Sequence, residues 1–296
     1  VKEKLRRKVV GLAKPYRVTS GKKFALKDFA TDADGGLKHD APTDELLAHG
    51  VQLMSDLQER LYADDRWSLL LVFQAMDAAG KDGTIKHVMS GINPAGCQVT
   101  SFKQPSALEL DHDFLWRSNL ALPQRGRIGI FNRSYYEETL IVRVHRPVLA
   151  AEKIPPSLTG KHLWEERFAD INAFERHLVR NGTVVLKFFL HLSKAEQKKR
   201  FLARLDVPSK NWKFSAADLK ERKLWDDYQT AYEETIAATA TPHAPWYVVP
   251  ADHKWFTHLV VAGAVVKALD DLDLKFPKVS REQKKALRDA RKQLAG

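Results

Sequence analysis

The chain has 296 residues, 44% of them hydrophobic, with 48 Lys and Arg against 37 Asp and Glu for a net charge of +11. That length suits one large α/β domain or two small ones, and a mean hydropathy of −0.38 without an apolar run of spanning length argues against membrane insertion. A single cysteine, Cys97, excludes an internal disulfide framework and a cysteine-based zinc site, which fits a reducing, cytoplasmic setting.

The first residues, VKEKLRRKVV, are basic but lead into no apolar stretch or cleavage site, so no secretory signal is expected. Residues 1–40 are polar, with a turn at Asp32-Ala33-Asp34-Gly35-Gly36, and predict an extended arm over the surface. Thr43 can cap a helix whose Leu46, Leu47, Val51, Leu53, Met54, Leu57 and Leu61 recur at helical spacing. Leu69 to Phe73 is wholly apolar, as in a parallel strand covered on both faces. A helix over about 83–90 and a strand over 97–102 follow, then a helix from the Ser106 cap to Leu120 and a strand over 127–131. Next come a helix from about Tyr136, a helix over 162–180 and a strand over 183–190. From Lys194 a long helical region is broken at Pro208, and a strand over 246–249 and a helix over 255–272 close the pattern. Strands alternating with helices predict a doubly wound parallel sheet between helical layers, with ligands at the strands' carboxyl ends.

The most telling segment is SLLLVFQAMDAAGKDGT, residues 68–84. A buried strand, a small-residue loop, Gly80-Lys81 and then a helix form a cradle for phosphate, with backbone amides and a lysine turned to the anion. The pattern G-x-x-x-x-G-K-S/T is met imperfectly, because Ala75 replaces the first glycine and Asp82 the hydroxyl residue. Ala79, Gly80, Lys81, Asp82, Gly83 and Thr84 are the candidate phosphate-binding positions. An ordinary strand-to-helix turn with a surface lysine is the competing reading. Asp77 inside the loop would repel an anion unless a cation intervened, and Mg2+ favours one or two carboxylates plus phosphate oxygens; Asp82 offers a second carboxylate nearby. A local side-chain turn at Asp77 is the alternative.

At the end of the strand over 127–131, FNRSYYEE puts Arg133 at a carboxyl end, where its planar fork suits phosphate. Glu137 and Glu138 also suit the first turn of a helix electrostatically. From Lys194 to Lys223 there are ten Lys and Arg against four Asp and Glu, and from Lys275 to Gly296 eight against two. The first segment reads as a basic lid over phosphates, and the second as a solvated basic helix. His39, His112, His145 and His191 lack metal-ligand spacing, and no Ser-His-Asp or Cys-His arrangement stands out.

Six segments in order carry a resemblance: QAMDAAGKDGTIKHVMSGINPAGC, SFKQPSALELDHDFLWR, FNRSYYEE, LHLSKAEQKKRFLARL, NWKFSAADLKERKLWDDY and APWYVVPADHKW. Over about 16–273 the chain resembles the family-2 polyphosphate kinases. The resemblance implies an α/β, P-loop-kinase-like doubly wound sheet flanked by helices, with a catalytic domain over 41–274, a helical lid over about 194–228 and a basic C-terminal helix over 275–296. It implies Mg2+-dependent transfer (Mn2+ being the alternative ion) of a phosphoryl group between inorganic polyphosphate and AMP or ADP, GMP and GDP being further candidates. Asn132 and Glu137 are similar to the subgroup that accepts both AMP and ADP, whereas other subgroups generally carry Asp before the Arg.

Carried over residue by residue, Asp77 matches the acid that holds magnesium, Lys81 the loop lysine, and Arg133 the arginine bridging donor and acceptor phosphates. Arg200, Arg204, Lys213 and Arg222 match lid positions along a polyphosphate channel, and Asn132, Arg133, Tyr136 and Glu137 are the acceptor-nucleotide candidates. The family implies a homodimer or homotetramer, with neither membrane nor nucleic acid as partner. The competing functions are an ATP-dependent nucleotide or small-metabolite kinase, which would need fewer lid cations, and a basic nucleic-acid binder, for which interleaved aromatic residues are missing.

Overall fold

The structure, a computed structural model, describes residues 2–295. Its six-stranded sheet runs β1 (Arg17–Val18), β6 (Trp246–Pro250), β5 (Thr183–His191), β2 (Ser68–Ala75), β4 (Ile128–Asn132) and β3 (Cys97–Ser101) in spatial order. All neighbours pair in parallel except β1, which lies antiparallel on β6. The central strand β2 is buried along nearly its whole length, as expected of SLLLVFQA in a sheet covered on both faces.

The helices of eight or more residues are α1 (Lys2–Ala13), α2 (Ala41–Asp64), α3 (Lys81–Val88), α4 (Leu163–Arg180), α5 (Lys194–Asp206), α6 (Ala216–Lys223), α7 (Trp225–Thr239), α8 (Lys254–Asp270) and α9 (Arg281–Ala295). Val9, Leu46 and Val260 of α1, α2 and α8 pack with Leu69, Leu71 and Phe188 on one face of the sheet. Ile171, Leu178 and Ile236 of α4 and α7 pack with Leu70, Val72 and Phe189 on the other. Side chains alternate across a strand, so β2 feeds both cores and the doubly wound expectation holds.

Several local expectations need correction. The arm is not extended throughout: residues 2–13 form α1, and Val9 is fully buried. Its backbone comes so close to α8 that a Cβ on Gly263 would lie 2.3 Å from the Val9 carbonyl oxygen. The α2 cap is Asp40, whose carboxylate accepts from the Thr43 amide, not Thr43 itself. Ser106 does cap a helix, through a reciprocal box with Glu109, but the helix stops at Leu110 and a second turn spans Trp116–Leu120. Asp113 intervenes, its carboxylate accepting from the Leu115 amide in a side-chain turn that competes with helix. After Arg133 a 3-10 turn, Tyr135–Thr139, replaces the expected regular helix. The lid, by contrast, breaks at Pro208 as expected: Pro208 cannot continue α5, and a 3-10 stretch over Pro208–Lys213 leads to α6. In the C-terminal segment the helix begins only at Arg281.

Candidate active site

The carboxyl ends of β2, β4, β5 and β6 lie side by side, and each leads into a segment bearing polar side chains. After β2 the loop turns through Ala78 at φ +63° and Gly80 at φ +102°, and Gly80 caps α3. The first bond of α3 runs from the Thr84 amide to the Gly80 carbonyl, 2.9 Å, which leaves the amides ahead of Thr84 outside the helix ladder. These amides and the helix dipole make an anion site from backbone alone. The Ala79 methyl is packed in the core and Thr84 is 2% exposed. Any part these two residues take in binding an anion is therefore through the backbone, not the side chain. Lys81 donates from Nζ to the Ala75 carbonyl, 3.1 Å.

Arg133 follows β4 at φ +65°, a costly conformation for a side-chain-bearing residue, with its amide bonded to the Phe73 carbonyl at 3.0 Å. Its guanidinium lies 3.1 Å from Glu137 and 3.7 Å from Asp77. Glu137, then Asp77, raise the Arg133 pKa against its desolvation. Burial lowers the Lys81 pKa, and Arg133 lowers it further, while Asp77, Glu137 and Asp82 oppose. Asp77, Lys81, Arg133 and Glu137 therefore share one electrostatic neighbourhood, as the sequence predicts. With its amide turned so that nitrogen faces Glu137, the buried Gln74 donates to Oε1 at 2.8 Å and accepts from Ser134, fixing the carboxylate.

Not every candidate joins them. Tyr136 is wholly buried, its hydroxyl donating to Glu175 at 2.7 Å and accepting from the equally buried Lys187 at 3.0 Å. It anchors the turn from the core side and does not face the acceptor site. Asn132 donates to Asp82 at 2.6 Å, which engages Asp82 across the loop. The carboxylate that feels Asp77 on the lid side is Asp218 of α6: burial, then Asp77, raise its pKa, opposed by Arg204 and Arg133. Arg204 donates to Asp218 at 2.9 Å and to the Lys213 carbonyl at 3.1 Å, tying the lid pieces together.

Lys213 is exposed beside Trp212. Arg222 donates to the Lys194 carbonyl and to Gln197, at 2.9 and 2.7 Å. Arg200 is only 9% exposed in its side chain and is bound to backbone carbonyls of the loop and of the residues after β6. Lys254, at the start of α8, is a further cation at the site: burial and then Arg200 and Lys210 lower its pKa, Glu196 opposes, and Lys213 adds to the lowering. Sequence reasoning missed Asp218, because an acid in a basic run reads as a solvated partner, and missed Lys254, although a lysine just past a strand's carboxyl end was the available signal.

A cavity of about 910 Å3 opens beside Asp77 and Arg133. Its walls include Ser134, Glu137, Tyr228 and Tyr232 on the core side and Ala217, Glu221 and Arg222 on the lid side. Tyr228 donates to Glu221 at 2.6 Å, with His145 Nε2 2.8 Å from the same carboxylate, so the lid is docked against α7. Farther along the wall, Arg167 pairs with Glu138 at 2.9 Å and approaches Glu152 at 3.8 Å. The volume falls in the range of small-molecule sites, and the site has cations and carboxylates at one end. Among the described residues no group of three or more His, Cys, Asp or Glu side chains could hold a metal by itself. The Asp77 carboxylate, which lines this cavity, is a hard oxygen ligand that fits Mg2+ completed by phosphate oxygens and water.

The family model described as polyphosphate kinase 2 (PPK2) matches residues 36–277. The chain is 53% identical to the ADP-polyphosphate phosphotransferase of Rhodopseudomonas palustris, over 95% of this chain and 98% of that protein. It is 45% identical to the AMP/ADP-polyphosphate phosphotransferase of Meiothermus ruber, over 89% and 95% of the respective chains. Among solved structures, polyphosphate kinase 2 from Arthrobacter aurescens TC1 superposes with a TM-score of 0.85 at 40% identity, covering 94% of this chain and 96% of that one. The chain belongs to the polyphosphate kinase 2 family.

Proposed function

We propose that this protein transfers the terminal phosphoryl group of inorganic polyphosphate, reversibly, to AMP and to ADP. The observation that carries the reading is the position of Arg133, held between Asp77 and Glu137 at the mouth of a nucleotide-sized cavity and in the field of Lys81. The names of the Rhodopseudomonas and Meiothermus relatives support ADP and AMP as acceptors.

The acceptor is a phosphate whose second pKa is about 6, so its attacking oxygen is an anion at neutral pH and no general base is needed. Two anions must instead be brought end to end. The loop amides and Lys81 hold the donor phosphate, and Arg133 spans donor and acceptor, its fork fixing both in line. Asp77 would hold Mg2+, which when bound neutralises charge on the transferred group and its neighbours. Glu137, turned by Gln74 and paired with Arg133, sets how far an acceptor phosphate can advance, and so whether AMP or ADP fits. Docking of the lid excludes water that would compete as acceptor.

Lys210, Lys213 and Lys254 supply repeating positive charge for a donor that has repeating negative charge and no sequence. A cytoplasmic setting belongs to this reading and is supported by the lone, free Cys97, which has no second cysteine to form an internal disulfide. A homo-oligomer also belongs to it, supported by the exposed amphipathic α9 with Leu287 and Leu294.

Comparing polyphosphate with ATP as donor at equal acceptor concentration tests the donor class. Faster transfer from polyphosphate is expected, and transfer from ATP alone would assign the site to a nucleotide kinase.

A further inference from the structure

Arg200 stands in the lid sequence among residues suited to a polyanion, but its donors are already used. Nη1 donates to the Ala78 and Ala79 carbonyls at 3.1 and 2.8 Å, Nη2 to the Ala251 and Asp252 carbonyls at 2.6 and 3.1 Å, and Nε to Glu196 at 2.9 Å. One guanidinium thus joins the loop after β2 to the chain leaving β6. One turn earlier on α5, Gln197 donates to the Asp77 carbonyl at 3.0 Å, its own amide oxygen oriented by Arg222 at 2.7 Å. Three consecutive loop carbonyls, 77, 78 and 79, are therefore held by one helix face. Gln197 and Phe201 are buried, so this face is fixed to the core.

We propose that Arg200, with Gln197, is a positioning residue that sets the direction of the phosphate-loop peptides, and that it makes no contact with the polyphosphate chain. The inference rests on the reading of this loop as the phosphate cradle. In a trans peptide the carbonyl and the following amide point in opposite directions within the plane. Holding the Ala79 carbonyl turns the Gly80 N–H away from Arg200, to join the amides that open α3. Holding the Ala78 carbonyl turns the Ala79 N–H inward, where it closes the turn on the Met76 carbonyl at 3.2 Å. Ala78 at φ +63° is a conformation the loop would leave if released, and these bonds oppose that release. A lysine keeps the charge, but its single ammonium cannot span four carbonyls on two segments.

The test is Arg200→Lys, with Gln197→Leu as a second variant that changes no charge. Two readouts are used: amide hydrogen exchange, and steady-state kinetics with AMP and polyphosphate across a salt series. For Arg200→Lys, faster exchange in residues 76–84 is expected with exchange in 184–190 unchanged. Turnover should fall at least about tenfold, the scale of a sub-ångström to ångström misplacement, while the polyphosphate KM and its salt slope stay as in the wild type. Gln197→Leu should move the loop exchange and turnover the same way by less. Unchanged loop exchange with a raised polyphosphate KM and a shallower salt slope would make Arg200 a donor contact and overturn the proposal. Equal acceleration of exchange in 184–190 would make it a general fold anchor and overturn it as well. Should the wild-type enzyme transfer nothing from polyphosphate, the functional reading fails, and loop exchange still judges Arg200 separately.

Discussion

The Arg133 guanidinium, at the end of β4, lies 3.7 Å from the Asp77 carboxylate in the loop after β2. The two residues come from adjacent parallel strands, and the parallel register brings them together: Phe73 pairs with Asn132, so the segments leaving both strands start level. A cation and an acid at this point form a paired charge that phosphate and metal can both exploit. Removing either charged member of the cluster should therefore cost transition-state stabilisation rather than folding. Lys81→Ala and Asp77→Asn are each expected to lower kcat/KM by about a hundredfold or more, the usual scale for one electrostatic group. Steady-state assays with circular dichroism on the same samples check this, and near-normal rates in folded variants would remove the assigned roles.

Glu137 is held by Arg133 at 3.1 Å and by the buried Gln74. A carboxylate beside the incoming acceptor phosphates repels them in proportion to how closely they approach. Glu137→Asn should change the ratio of kcat/KM for AMP and ADP by several-fold, and an unaltered ratio would separate Glu137 from acceptor choice.

Glu152 meets Glu138 in the cavity wall, where burial first and then Glu138 push its carboxyl up to about 8. Its folded pKa lies above the unfolded value of 4.5, so the folded state holds a proton that the unfolded chain releases. The penalty is absent below about pH 4.5, grows as pH rises and is complete above about 8. Glu152→Gln, neutral at every pH, should accordingly gain thermal midpoint over wild type between pH 5 and 8. A midpoint difference independent of pH would contradict the raised Glu152 carboxyl.

Helix α1 lies on α8 at a contact that only glycine permits, with the Gly263 Cβ position 2.3 Å from a Val9 backbone oxygen. Gly263→Ala should push α1 away and destabilise the protein by about 1–3 kcal/mol, the range for overpacking a tight core. Denaturant unfolding measures it, and a stability equal to wild type would mean that α1 does not need this approach.

The central strands were readable because they are short apolar runs between turn signals, and Ser68–Ala75 and Thr183–His191 are extreme cases. Helix α1 was not, since its buried Val9 and partly buried Leu5 and Leu12 are interrupted by Lys and Arg that make the segment read as a polar arm. In the site, Asp77, Lys81 and Arg133 were legible because strand ends and a glycine loop fix where such side chains must go. The roles of Tyr136 and Arg200 were not. A tyrosine beside a catalytic turn and an arginine in a basic helix look the same in sequence whether they face ligand or protein. Only the partners, Glu175 and Lys187 for one and four backbone carbonyls for the other, distinguish them.

Chromatography of AMP incubated with long-chain polyphosphate, Mg2+ and this protein, with ATP excluded, tests the central claim most directly. The account predicts ADP and then ATP, both lost in Lys81→Ala. Unchanged AMP under these conditions, with the protein folded and Mg2+ present, would contradict it.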